Sequence, residues 1–125
     1  MLVSLKFPKR ESNSSDAYLR MTPRTEMDIA VVGCGVNLTL DNDTCTSVRV
    51  SLGAVAPTPL LIKEASDIMV GTNLNSEVLE KVAKICMESC NPINDKRGTI
   101  EYRTKVAGVL FKRATLIAID RIKGN

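Results

Sequence analysis

The stretch DIAVVGCGVNLTLDNDTCTSVRVSLGAVAPTP, residues 28–59, decides the fold. Val32, Cys34, Val36, Leu38 and Leu40 share one face of an extended strand, and Gly33, Gly35, Asn37 and Thr39 share the other. Asp41-Asn42-Asp43-Thr44 is dense in turn formers, and Val48, Val50, Leu52 and Ala54 then alternate with Ser47, Arg49, Ser51 and Gly53. Two alternating strands around one turn predict an antiparallel hairpin with a single apolar face. Pro57 and Pro59 lack ladder donors and bias their predecessors away from helix, so pairing ends and a connector begins.

Working toward the C-terminus, Lys63–Val70 predicts a short helix stopped by Gly71, which suits the left-handed position past a helix end. Ser76–Cys90 carries Val78, Val82, Ile85 and Cys86 on one helical face, with Asn75 or Ser76 as cap. Asn91-Pro92-Ile93-Asn94 breaks that helix. Thr99 can cap a long final one, where Tyr102, Val106, Val109, Leu110, Ala114 and Ile117 recur at helical spacing. Toward the N-terminus, Ala17–Met21 reads as a brief strand and Thr22–Thr25 as a turn or exposed loop. LVSLKF, Leu2 to Phe7, alternates and then meets Pro8, predicting another short strand, and Lys9–Ser15 is a polar linker. Strands first and helices last give an α+β class, an antiparallel sheet of three to four strands packed on one face by helices. The length suits one core, so residues 1–125 are expected to form a single domain.

Hydrophobic residues at 44% and charged residues at 25% are ordinary for a chain that folds unaided. Aromatics at 3% with no Trp deny a base-stacking platform, and a net charge of +3 is far from a phosphate-binding stripe, so nucleic acid is not an expected partner. No run approaches a membrane span and the N-terminus lacks a signal pattern, which makes a cytoplasmic protein the expectation.

Reaction chemistry is nearly absent. There is no His, no nucleophile elbow and no P-loop. Gly33-Cys34-Gly35 sits inside a strand rather than opening a helix, so it predicts close packing or a bend and not phosphate binding. Four cysteines without a CxxC pair read as buried thiols, with no metal site expected. The best site candidate is the mixed-charge loop with Arg24, Glu26 and Asp28, near Asp16 and Arg20, since ligand-facing residues concentrate on loops held by a rigid scaffold. Asp95-Lys96-Arg97-Gly98 is a second polar cluster, read as a turn in which Asp95 meets Arg97 or Arg103 and Gly98 takes a positive φ. Arg103, Lys105, Lys112 and Arg113 are read as a solvated helix face.

Two runs carry a family likeness. SLGAVAPTPL, Ser51 to Leu60, with the following helix and Gly71, resembles the segment after the central hairpin in the C-terminal domain of molybdenum hydroxylase flavoprotein subunits, the carbon monoxide dehydrogenase and xanthine dehydrogenase family. DKRGTIEYRTKVAGVLFKRA, Asp95 to Ala114, resembles that domain's last helix, and Ser66 departs from an acidic residue common there. RTEMDIAVV, Arg24 to Val32, resembles the loop and strand that approach the flavin, which implies a flavin-side position for Arg24, Glu26, Met27 and Asp28. The resemblance implies an oxidoreductase subunit lobe without a catalytic residue of its own. FAD would be held only with the family's N-terminal FAD-binding domain, which is not in this chain, and molybdopterin and 2Fe–2S centres would lie in partner subunits. No cofactor is expected on the isolated chain. The alternative is a non-catalytic protein-interaction or dimerisation module, with homo-oligomer formation.

Overall fold

Asn42 and Asp43 form a tight turn, Asn42 with φ +54°, and the flanking residues pair as strands β2 (Val32–Asp41) and β3 (Thr44–Gly53). The computed structural model describes residues 1–124. Cα partners run from Gly33 with Gly53 to Asp41 with Thr44, and Thr46 is the extra residue of a bulge between Thr39 and Leu40. β1 (Ser14–Met21) pairs antiparallel with β2, and β4 (Leu60–Leu61) pairs antiparallel with β3, giving the order β1-β2-β3-β4. Helices α1 (Glu64–Met69), α2 (Ser76–Glu88) and α3 (Ile100–Lys123) follow. The expected α+β architecture is the one observed, with four strands.

The apolar face of the hairpin is buried as its alternation requires. Leu38 and Leu52 are almost wholly withdrawn from water, each worth about 1.5–3 kcal/mol in transfer free energy. Against that face lies α3, whose Ala107, Phe111, Ala114 and Ala118 are fully buried and which packs on β1 and β2. α2 packs on α3 through Leu79, Val82, Ala83 and Cys86, and Lys112 Nζ reaches Glu80 Oε1 at 2.6 Å across the pair. Asn75 and Thr99 are the caps, accepting from the amides of Val78 and Tyr102. Gly33 and Gly35 face outward under Tyr18 and beside Ser51. A Cβ on Gly33 would stand 2.7 Å from the Tyr18 hydroxyl, which is the close packing expected of this pair.

Several expectations need correction. Residues 1–13 lie outside every strand, so Leu2–Phe7 forms none here: an extended segment needs a neighbour to hold its backbone groups, and no strand of this sheet supplies one. Ser14 and Ser15, assigned to the linker, begin β1. Gly71 has φ +81° as expected, but Gly98 is not a positive-φ residue. Its lack of a Cβ instead admits Val31 and Tyr102, each 3.3 Å from where that atom would stand. On α3 the buried stripe is rotated from the expected one, leaving Tyr102 40% exposed and burying Arg103.

A candidate site at the loop end of the sheet

Three connectors meet at the end of the sheet where β1 stops, β2 starts and β3 stops: residues 22–31, 54–59 and 89–99. Arg103 binds them together. Its Nη1 donates to the Val31 carbonyl at 2.7 Å and more weakly to Ala54 at 3.5 Å, while Nη2 donates to Asp95 Oδ1 at 2.8 Å. A planar fork with several fixed donors can serve three backbone segments where a point-like ammonium cannot. Only 4% of Arg103 is exposed, so its expected place on a solvated face is wrong. Carbonyls turned inward at Val31 and Ala54 require a buried donor, and this cation is it.

Asp95 also accepts from the amides of Arg97 at 2.8 Å and Gly98 at 3.1 Å. The Arg97 amide, and then the Arg103 guanidinium, hold its carboxyl below the usual carboxylate range. Asp28 is the second anchor. Withdrawal from water works to raise its carboxyl, but the Ile29 amide, Arg97 and Arg24 together outweigh that and leave it lowered. Asp28 Oδ1 accepts from the Ile29 amide at 2.8 Å and Arg97 Nε at 3.3 Å, and Oδ2 from the Arg24 amide at 3.2 Å. Its side chain is 4% exposed.

The four residues singled out in this loop therefore divide. Asp28 points inward and fixes the bend, whereas Met27, at φ +48°, is thrust out with 97% of its surface exposed. Arg24 and Glu26 are exposed beside it. Asp16 and Arg20 lie on β1 instead, and Asp16 pairs with Arg10 at 2.7 Å. Between the loops is a recess of about 420 Å³, bounded by Ile29, Ala56, Pro57, Ile93, Arg97 and Arg103. Sequence reading saw Asp28 and Asp95-Arg97 as separate clusters, and the ion pair between Asp28 and Arg97 is what it missed.

The thiols offer no nucleophile at this end. Burial pushes Cys34 and Cys86 up to about 12, and Cys90 up to about 11. Among the described residues no three His, Cys, Asp or Glu side chains are grouped to hold a metal, and no helix is long and apolar enough to cross a membrane.

Fold and site together define an α+β lobe that presents one braced, loop-rich end. A family model described as the CO dehydrogenase flavoprotein C-terminal domain matches residues 17–118, and the chain belongs to that family. It is 34% identical over 123 residues to the carbon monoxide dehydrogenase medium chain of Afipia carboxidovorans, covering 98% of this chain and 42% of that one. To the xanthine dehydrogenase FAD-binding subunit of Escherichia coli O157:H7 it is 26% identical over 126 residues, 100% of this chain and 43% of the relative. The reconstituted CO dehydrogenase structure from Oligotropha carboxidovorans superposes with a TM-score of 0.86 at 35% identity, over 91% of this chain and 40% of that one. The chain thus spans less than half the length of these relatives.

Proposed function

We propose that this chain is the C-terminal lobe of the FAD subunit of a molybdenum hydroxylase, covering the flavin and helping to dock the subunits that carry molybdopterin and 2Fe–2S centres. The observation that carries the reading is the outward bend at Met27, braced by Asp28 and Arg97, on a lobe of this family. An exposed apolar tip with the Arg24 guanidinium against its backbone carbonyl suits the edge of a planar ring with polar substituents. The paired glycines do not suit a pyrophosphate. Gly33 and Gly35 lie inside β2 and open no helix, so the phosphates would be held by the N-terminal FAD-binding domain of such a subunit.

In this arrangement Met27 shields the ring from water, while Arg24 and Glu26 set the local charge. Asp28 acts through the other three by holding the bend. When bound, FAD supplies the redox-active ring that passes electrons on to an acceptor. The substrate reaction takes place on another polypeptide, and residues 1–125 work as one unit of a cytoplasmic complex and bind no cofactor when isolated from it.

Affinity capture of the tagged chain from its source organism, followed by assay of the eluate for flavin, iron and molybdenum, tests this reading. Recovery of all three with larger polypeptides is expected. Stoichiometric flavin on the chain alone would refute the division of labour. In the assembled complex, Met27→Asp should shift the flavin absorbance or reduction potential, whereas Glu64→Gln, outside the loop end, should not.

A further inference from the structure

β1 closes one side of the sheet, and no strand lies beyond it. The backbone groups of successive residues in a strand point to opposite sides. The Asn13 carbonyl accepts from the Leu40 amide and the Met21 carbonyl from the Val31 amide, so the odd residues of β1 turn toward β2. Asp16, Tyr18 and Arg20 therefore turn their amides and carbonyls outward. Arg121 Nη1 reaches the Asp16 carbonyl at 2.6 Å from that outer side, which fixes the same phase by a second contact. Among the described residues no other backbone group meets these three, and an uncovered edge is a template for another strand. Beneath it, Leu19 and Met21 with Leu110, Leu116 and Ile117 of α3 line an apolar groove of about 470 Å³, and Leu116 is 52% exposed.

The charges along the edge name the occupant. Two copies of β1 related by a twofold axis run antiparallel, and each register sets outward-turned residues against one another. Centred on Tyr18, Asp16 meets Arg20 of the second copy at both ends of the seam, and Tyr18 meets its own copy. Centred on Ala17, Arg20 meets Ser14; centred on Leu19, Arg20 meets Tyr18 and Asp16 meets Thr22. Only the first register pairs opposite charges, and it does so twice, on the sheet face where all three side chains are exposed. Asp16 holds Arg10 through Oδ1, which leaves Oδ2 for the new pair. Arg113 lies at the Leu19–Met21 end of the groove, so the twofold carries its two copies to opposite ends of the seam.

We propose that two copies of this chain join along β1, antiparallel and centred on Tyr18, into one continuous sheet with the helices of both on the same face. Each pair of outward residues exchanges two main-chain hydrogen bonds. The Asp16 carbonyl accepts from Arg121 and from the second copy together, as its two lone pairs allow. The Met27 bend follows β1 and stays outside the seam, so the pairing goes beyond the flavin reading and does not depend on it.

Sedimentation equilibrium of the full chain tests it. The native chain should show a monomer–dimer equilibrium in the micromolar range, with the amides of residues 16, 18 and 20 exchanging more slowly as concentration rises. Asp16→Arg sets cation against cation at both ends and should weaken the dimer by about 10-fold or more, and Arg20→Asp should do the same with anions. Mixed in equal amounts, these two variants face each other with opposite charges at both ends and should form a heterodimer of native affinity. Tyr18→Pro loses an amide that faces only the seam, and should be monomeric with an unchanged circular dichroism spectrum. A native chain that stays monomeric through this range, a dimer indifferent to both charge reversals, or folded variants that fail to associate on mixing would each overturn the proposal.

Discussion

Arg103 illustrates how a single side chain can set the shape of a site without touching a ligand. Its guanidinium holds the start of β2, the residue after β3 and the turn before α3 in one geometry. Arg103→Met should cost on the order of 3 kcal/mol, because it leaves inward carbonyls and a carboxylate without their donor. Arg103→Lys should recover less than half, since one ammonium cannot span Val31 and Asp95; urea unfolding of the three proteins measures both. Acid sensitivity belongs to the same residues. Asp28 and Asp95 have lowered folded pKa values, so on acidification the unfolded chain takes up protons first. Their contribution is present above the ordinary carboxylate value of about 3.9 and is lost as pH falls through the lower folded values. Asp28→Asn and Asp95→Asn should each lower stability at pH 7 and shrink the difference between urea midpoints at pH 7 and pH 3. An unchanged difference would show that the anchors are not ionic. The network was only half legible in the sequence. Asp95 and Arg103 lie only eight residues apart across the turn that leads into α3, but Asp28 and Arg97 are 69 residues apart and no spacing rule connects them.

Among the elements, the hairpin and the helix caps were legible because each is specified by neighbours in sequence: alternation, a turn, and a side-chain acceptor before the first helical turn. β4 was not, since two residues after a proline carry no periodicity and exist as a strand only because β3 has a free edge beside them. The face of α3 was also misjudged. Leu110 and Ala114 lie on it as expected, but Ala107, Gly108 and Ala118 matter for how closely the helix approaches its neighbours, a property that a search for large apolar side chains overlooks. Gly108 provides the test. A Cβ there would come 3.1 Å from Met87 Cγ and 3.2 Å from the Ala83 carbonyl oxygen of α2. Alanine should gain up to about 1 kcal/mol in helix propensity, but pushing against backbone costs about 1–3 kcal/mol. Gly108→Ala is thus expected to lower stability by roughly 1 kcal/mol. A rise in melting temperature would mean that α2 can move aside freely.

At the scale of the whole molecule, the sheet and its helices share one core, and three thiols report on it from both layers: Cys34 in β2, Cys45 in β3 and Cys86 in α2, all fully buried. Burial raises all three, so at pH 8 the folded protein holds almost no thiolate, whereas an unfolded cysteine with a pKa of about 8.5 is substantially ionised. The same difference removes stability at alkaline pH, beginning near the unfolded value and growing as pH rises toward the folded one. Alkylation at pH 8 must therefore wait for opening. If the layers open together, iodoacetamide should modify Cys34, Cys45 and Cys86 with one common dependence on urea, matching global unfolding, as resolved by peptide mass spectrometry. Cys90, half-buried at the end of α2, should be modified ahead of them. Modification of Cys45 in the absence of urea, with Cys34 still protected, would show instead that the hairpin's turn end opens by itself. The braced loop end would then be the more rigid pole of the lobe, which a surface for a cofactor and partner subunits requires.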